Sequence, residues 1–271
     1  MQADEIRVKI QGGVVWLALA MMVSTRLWLA GALSPSRDFD LVSAVAQQVR
    51  QCALCRPLLL CVDGFSAYVR AFRAAFRTPG PTKHRGRPRL VAWPDIYIGQ
   101  VIKHRVGCPV MQITRRIVQG AAAHVQRVLA ASQGDGVLNV AYIERLNATF
   151  RQRLAALSRR GRALVRGPVP LQASMYLMGT VYNFCTFHKS LRVALWLPGN
   201  RKHWVPRTPV MAAGISDHRW TVRELLTFRV PLPPWVAPKR RGRPPKSPQQ
   251  AVDPPKRRGR PPKPHSQAVK I

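Results

Sequence analysis

The sequence predicts an α/β protein in which a mixed β-sheet is flanked by helices and followed by a disordered basic C-terminal tail. Three observations support this prediction. Residues 3–10 alternate between apolar and polar side chains, which is typical of a half-buried strand. Residues 57–62 are apolar on both faces, as expected of a central strand covered on both sides. Segments with helical spacing of apolar residues alternate with these strands, and apolar patterning fades after residue 235.

Charge and cysteine usage limit the classes of protein to consider. The 271 residues include 44 Lys and Arg but only 11 Asp and Glu, which gives a formal net charge of +33. Such a charge favours a polyanionic partner, with nucleic acid first and an anionic membrane surface second. Five scattered cysteines do not resemble a secreted disulfide framework, so a reducing cytosol fits better. Cys52 and Cys55 form a lone C-x-x-C pair, for which zinc binding is the less favoured alternative.

The N-terminal third is predicted as a strand followed by a hairpin. In the strand, Asp4 shares the apolar face of Ile6, Val8 and Ile10. The apolar run over residues 14–33 is interrupted by Arg26, whose charge at a bilayer centre would cost about 2.5–3.5 kcal/mol. We therefore interpret the run as two buried strands, residues 15–23 and 27–33. A signal peptide or membrane segment is the alternative.

The remaining elements follow from apolar periodicity and from Gly and Pro positions. A central strand at 57–62 ends in Asp63-Gly64, and residues 78–93 read as a loop rich in Pro, Gly and Arg. A second strand is predicted at 95–103, and residues 188–235 are mixed. Helices are predicted at 39–49, 67–76, 121–131, 141–159 and 171–187.

The helix at 141–159 carries an unusual face. Glu144, Asn147 and Arg151 stand at i, i+3 and i+7, beside the apolar stripe of the helix. An acid in the first turn of an arginine-rich helix can be explained without catalysis, because it lies near the positive end of the helix dipole and can pair with nearby arginines.

Three acids are nevertheless candidates for a metal site. Asp4 lies on the apolar face of its strand, Asp63 ends a buried strand, and Glu144 begins a helix. Burying carboxylates costs several kcal/mol unless cations compensate them. Two Mg²⁺ or Mn²⁺ ions would do so and would suit phosphoryl transfer. Glu5 replaces Asp4 as the ligand if the predicted register is off by one residue.

The order of these elements resembles the DDE transposases of bacterial insertion sequences. The order is strand with Asp4, hairpin, helix, strand ending Cys61-Val62-Asp63-Gly64, insertion, and helix with Glu144. The family also tends to place a basic residue seven positions after the glutamate, as Arg151 is here. Tyr182-Asn183-Phe184 with His188-Lys189-Ser190-Leu191 is similar to a downstream family pattern.

The resemblance implies a ribonuclease H-like catalytic core over residues 1–165, with an insertion at about 78–139, and a helical extension over 166–235. It implies that Asp4 and Asp63 share two metal ions, that Glu144 completes the second site, and that Asn147 and Arg151 position DNA or the glutamate. Paired cleavage of two DNA ends favours a dimer or larger assembly. Family members usually carry an N-terminal recognition module, so we expect either a truncated start or DNA-end recognition by basic helices and the tail.

The tail, residues 236–271, contains a duplicated unit. The sequence PKRRGRPPK at 238–246 recurs at 255–263 and resembles the AT-hook family. Glycine allows close approach to the groove floor, proline keeps the chain extended, and arginines favour the narrow minor groove of A·T tracts. A basic solubility or localisation tail is the alternative. The predicted contacts are Arg241, Gly242, Arg243, Pro244, Arg258, Gly259, Arg260 and Pro261.

These observations predict a DNA transposase that acts in the cytoplasm at the nucleoid, without membrane attachment. Two alternatives are a non-catalytic protein that binds the A·T-rich minor groove, and a ribonuclease H-like nuclease without strand transfer.

Overall fold

A computed structural model of the chain describes residues 1–53, 57–81, 88–107, 109–132, 136–158 and 164–231. Residues Met1–Phe228 form one compact unit. Both AT-hook-like repeats lie outside the described residues, and so does Cys55 of the C-x-x-C pair. In the Gly-Arg-Pro sequence at 86–88, only the proline is described. The predicted tail and zinc pair therefore remain predictions.

The unit is built on a mixed six-stranded sheet, with strand order β3-β2-β1-β4-β7-β8. β1 and β2 are antiparallel, as are β2 and β3, whereas β4 runs parallel to both β1 and β7. β8 closes the other edge antiparallel to β7. The strands of this sheet are β1 (Gln2–Ile10), β2 (Gly13–Met21), β3 (Trp28–Ser34), β4 (Leu58–Val62), β7 (Ile96–Arg105) and β8 (Val110–Gln119).

Helices cover both faces of the sheet. One face packs against α1 (Phe39–Cys52) and α2 (Ser66–Ala75), through residues such as Val45 and Phe72. The other face packs against α3 (Ala122–Ala131), α4 (Ala141–Arg153) and α5 (Pro168–Cys185), through residues such as Ile143 and Met175. β4 lies between these layers, which explains why its apolar run shows no alternation. The predicted α/β class, with a mixed sheet flanked by helices, is confirmed.

The apolar run at 14–33 forms the predicted hairpin. β2 and β3 pair antiparallel, and Arg26 lies in the turn between them with a positive φ of 58°. Its guanidinium donates to the Val23 carbonyl and lies 3.8 Å from the centre of the Tyr142 ring. These contacts compensate the burial of the charge. Among the described residues, every helix is too short or too polar to cross a lipid bilayer.

Three segments differ from the prediction. α4 ends at Arg153 instead of continuing to 159, because Leu154 is extended and a 3-10 turn at Ala155–Leu157 directs Leu157 into the core. Within 78–139, β7 and α3 confirm the strand predicted at 95–103 and the helix predicted at 121–131. The differences are β8, which joins the main sheet, and a small hairpin of β5 (Arg77–Pro79) and β6 (Leu90–Ala92) at the predicted loop.

The range 166–235 is only partly helical. After α5, an antiparallel pair of strands follows, β9 (His188–Leu197) and β10 (Arg201–Arg207). Two short helices, α6 (Pro209–Ala212) and α7 (Val222–Thr227), come next. Both strands are exposed along most of their length, so they lack the single buried face from which periodicity predicts a strand.

Candidate metal site between β1, β4 and α4

The parallel pairing of β1 and β4 brings two of the predicted acids together. Gln2 lies opposite Cys61, so Asp4 stands level with Asp63, two residues further along each strand. Carboxylate oxygens of Asp4, Glu5 and Asp63 all lie within 4.8 Å of one another. The three acids form a cluster, which we call the acid cluster.

Asp4 faces α4 and is held by an amide from that helix. The Nδ2 of Asn147 donates to the Asp4 carboxylate at 2.8 Å, and the Asn147 side chain is buried. Burial is the largest cause and the charges of Glu5, Asp63 and Glu144 add to it; together they raise the pKa of Asp4 to about 7. A cation beside Asp4 would favour the ionised carboxylate and oppose this rise in pKa.

Glu5 points to the opposite side of the strand. Its side chain is 2% exposed, accepts a 2.6 Å hydrogen bond from the Tyr68 hydroxyl and forms an ion pair with Arg37. Burial raises the pKa of Glu5, although the Tyr68 hydrogen bond and the Arg37 charge oppose this effect. Glu5 thus has protein partners for both carboxylate oxygens, whereas Asp4 lines a solvent-accessible pocket. This arrangement favours Asp4 over Glu5 as the pocket-facing ligand.

Asp63 is fixed by the turn that follows β4. Its Oδ1 accepts the Phe65 backbone N–H at 2.9 Å, and Arg37 Nη2 lies 3.1 Å from its Oδ2. The Asp63 carbonyl accepts from Gln100 Nε2 at 3.2 Å. Arg37 therefore bridges Glu5 and Asp63, and its guanidinium supplies positive charge beside the acid cluster.

Glu144 lines the same pocket as Asp4 and Asp63 but is not part of the acid cluster. Its carboxylate pairs with Lys103 of β7. The start of α4 is anchored by Gln2, whose Oε1 accepts the Ile143 N–H at 2.9 Å and whose Nε2 donates to the Asn139 carbonyl at 2.7 Å. One side chain on β1 thus positions the helix turn that carries Glu144.

Asn147 and Arg151 lie on the α4 face that begins with Glu144. Asn147 contacts Asp4, and Arg151 lies one further turn along the helix and is half-buried. The buried Oδ1 of Asn147 has no hydrogen-bond partner among the described residues. The carboxylates of Asp4, Asp63 and Glu144 line one pocket and offer hard oxygen donors, so these residues fit a Mg²⁺ or Mn²⁺ ion.

The downstream motif has a structural place in the unit. Asn183 Oδ1 accepts the Trp28 N–H, and its Nδ2 donates to the Trp28 carbonyl, both at 2.9 Å. Tyr182 packs edge-on against His188 at 4.5 Å between ring centres, and burial lowers the pKa of His188 to about 4. Asn183 therefore attaches α5 to the edge strand β3, and Tyr182 contacts the start of β9.

Sequence reasoning missed four residues around the site: Gln2, Arg37, Tyr68 and Lys103. Arg37 and Lys103 contact acids 26 to 41 positions away in the chain. The one local signal was Arg37 directly before the helix cap Asp38, which does not indicate an ion pair with distant acids.

Comparison of the chain with models of known protein families, with curated proteins and with solved structures found no match.

Proposed function

We propose that the chain is a metal-dependent DNA transposase of the DDE type with a ribonuclease H-like core. The observation that carries the proposal is the acid cluster, in which Asp4 within β1 meets Asp63 directly after the parallel strand β4, while Glu144 lines the same pocket. The order of the elements supports it: a hairpin, a helix, a strand ending in Asp63-Gly64, and a later helix that carries the third acid.

Each residue has a role in this proposal. Asp4 and Asp63 would hold the divalent ions, and Glu144, which pairs with Lys103 here, would complete the ligand set. Bound ions would lower the pKa of a water molecule and stabilise charge on the attacking and leaving oxygens of the phosphodiester. Asn147 orients the Asp4 carboxylate through its 2.8 Å hydrogen bond. Arg151, further along the same helix, contacts the DNA backbone.

The partner in this proposal is double-stranded DNA, and the charge of +33 supplies a strong, salt-sensitive attraction to it. The two AT-hook-like repeats bind A·T-rich minor grooves. Processing of two DNA ends calls for a dimer or larger assembly on DNA. A protein with these properties would act at the nucleoid in the cytoplasm.

The test is DNA cleavage by the purified full-length chain. Supercoiled A·T-rich plasmid is incubated with Mg²⁺ or Mn²⁺ and with wild type, Asp63→Asn or Glu144→Gln. We expect metal-dependent nicking by wild type and a loss of at least about 100-fold in both variants, since each removes a proposed ligand. Asp40→Asn is the matched control, because Asp40 is an exposed acid on α1 outside the pocket.

The products distinguish the alternatives. Strand joining supports the transposase, whereas nicking without joined products supports the ribonuclease H-like nuclease. Tight DNA binding by wild type without nicking supports the non-catalytic minor-groove protein. Nicking that is unchanged in Asp63→Asn and Glu144→Gln would show that this pocket is not the active site.

A further inference from the structure

The strand pair β9–β10, residues 188–207, forms an arm with little to bury. Every residue from 192 to 204 is exposed, while Leu191 at the base of the arm is buried. Trp196 is 62% exposed and Trp204 40% exposed. An isolated two-stranded hairpin is marginally stable in water. An exposed group of large aromatic and apolar side chains on such a hairpin indicates a surface that binds a partner.

One face of the arm alternates aromatic rings and cations. Lys202 lies opposite Trp196, and Trp204 lies opposite Ala194, so these side chains share a face with Arg192. The guanidinium of Arg192 lies 4.0 Å from the centre of the Trp204 ring, and Lys202 Nζ lies 4.4 Å from the same centre. The cations are therefore ordered along the ribbon by the rings. We call this the Trp-cation face.

The charge of the arm indicates the chemistry of its partner. Residues 188–207 contain five Lys and Arg and no Asp or Glu. Such a surface is complementary to a polyanion, and the major groove of B-DNA, about 12 Å wide, admits a two-stranded ribbon. The face of Trp204 is already in contact with two cations, which favours phosphate and groove-edge contacts over stacking of an unpaired base.

We propose that the β9–β10 arm is a second DNA-binding surface that enters the major groove of a duplex through its Trp-cation face. Arg192 and Lys202 contact phosphates on the groove walls, and Trp196 and Trp204 contact base edges. The inference rests on the proposed function in one respect, that DNA is the partner of this chain. It requires no catalysis and no metal.

The test measures binding of the full-length chain to a 30-base-pair G·C-rich duplex in EDTA, where cleavage cannot occur and the A·T preference of the tail contributes least. For Arg192→Ala with Lys202→Ala, we expect roughly tenfold weaker binding and a slope of log affinity against log salt that is smaller by about 1.8, since each phosphate contact contributes about 0.9. For Trp196→Ala with Trp204→Ala, we expect a loss of about tenfold with the slope unchanged.

The matched control is Leu195→Ala with Arg201→Ala, two residues on the opposite face of the same arm. It should weaken binding less than twofold. Wild-type affinity in both Trp-cation variants would overturn the proposal, as would an equal loss in the opposite-face control. A change in oligomeric state without a change in DNA affinity would instead assign the arm to self-association. Plasmid nicking is scored separately, so that absence of nicking counts against the transposase but not against the arm.

Discussion

At the scale of residues, Asp4 has the most informative environment in the unit. Its carboxyl is buried beside Glu5, Asp63 and Glu144, with Asn147 as its hydrogen-bond donor from α4. Arg37 neutralises the other side of the acid cluster, where Glu5 and Asp63 meet. The pocket is lined by three acids, Asp4, Asp63 and Glu144, and by three cations, Arg37, Lys103 and Arg105. A metal ion there would compete with a proton for the Asp4 carboxylate.

This environment predicts a specific dependence of stability on pH. Because the folded pKa of Asp4 is raised from 3.8 to about 7, the folded chain holds a proton that the unfolded chain releases. The contribution of Asp4 to stability is therefore fully present below pH 3.8 and is lost as the pH rises through about 7. In EDTA, the wild-type Tm should fall between pH 5 and pH 8 relative to the Tm of Asp4→Asn, measured by thermal melting.

Metal should reverse that loss. Mg²⁺ binds the ionised carboxylate, so the rise in Tm on adding Mg²⁺ should be larger at pH 8 than at pH 5.5 for wild type and absent for Asp4→Asn. Asp40→Asn serves as the control and should behave as wild type. An Asp4→Asn variant that keeps the full Mg²⁺ response would remove Asp4 from the proposed ligand set.

The acids themselves could be predicted from the sequence, and their partners could not. Asp4 was singled out by its place on an apolar strand face, and Asp63 by its place after a doubly covered strand, both of which are local signals. The contacts of Arg37 and Lys103 depend on which loop and which strand lie beside the acids. No periodicity in the sequence carries that information, because tertiary packing determines it.

At the scale of elements, β1 and α4 are joined by Gln2. Its amide group satisfies the Ile143 N–H and contacts Asn139 through two acceptors, the carbonyl at 2.7 Å and Oδ1 at 3.0 Å. Asn147 and Asp4 make the next contact between the same two elements. The distance between Asp4 and Glu144 is therefore set by backbone elements tied at two points.

Gln2→Met tests this connection, because it keeps the length of the side chain and removes its hydrogen bonds. The buried Ile143 N–H loses its partner, and we expect a loss of about 1–3 kcal/mol in the free energy of unfolding, measured in urea. Metal-dependent nicking should also fall in the folded variant, although every acid is present. Gln112→Met on the exposed edge strand β8 is the control and should change neither quantity. Full nicking activity in Gln2→Met would show that the connection does not position Glu144.

Elements whose apolar residues recur at a clear helical or strand spacing were predicted well, and elements without such a spacing were not. The predicted helices that correspond to α1 and α2, and the predicted hairpin of β2 and β3, differ from the observed elements by a few residues at their ends. β8 was missed because it is an exposed edge strand whose sequence, VMQITRRIVQ, lacks clean alternation. β9 and β10 were missed for a related reason, since both of their faces meet solvent along most of the arm.

At the scale of the whole molecule, positive charge is distributed unevenly along the chain. Residues 236–271 contain 11 Lys and Arg and a single Asp, and they include both AT-hook-like repeats. Electrostatic attraction to phosphates acts on any duplex, whereas insertion of arginine into a narrow minor groove depends on the DNA sequence. The two contributions can be separated by substitutions that remove the same charge at different positions.

Arg243→Ala with Arg260→Ala removes the central arginine of each repeat and should weaken binding to an A·T-rich duplex more than to a G·C-rich one. Lys246→Ala with Lys263→Ala removes equal charge from the ends of the same repeats and should weaken binding to both duplexes alike. The affinity of each variant for each duplex is measured as a function of salt concentration. If all five cations of a repeat contacted phosphates, that repeat would contribute a slope of about −4.5 at most to a plot of log affinity against log salt. Equal losses on both duplexes for the arginine variant would leave a basic tail without groove preference.

The distribution of the acids along the chain has a consequence for protein synthesis. Asp4 leaves the ribosome about 140 residues before Glu144, which at 5–20 residues per second corresponds to roughly 7–30 s. β1 cannot find its parallel neighbour until β4 has emerged, and α4 docks later still. A nascent chain therefore carries many of its cations before it holds the full set of acids. The β9–β10 arm and the repeated tail, in contrast, leave the ribosome after Glu144, so the DNA-binding surfaces proposed above would be complete only after the last of the three acids has emerged.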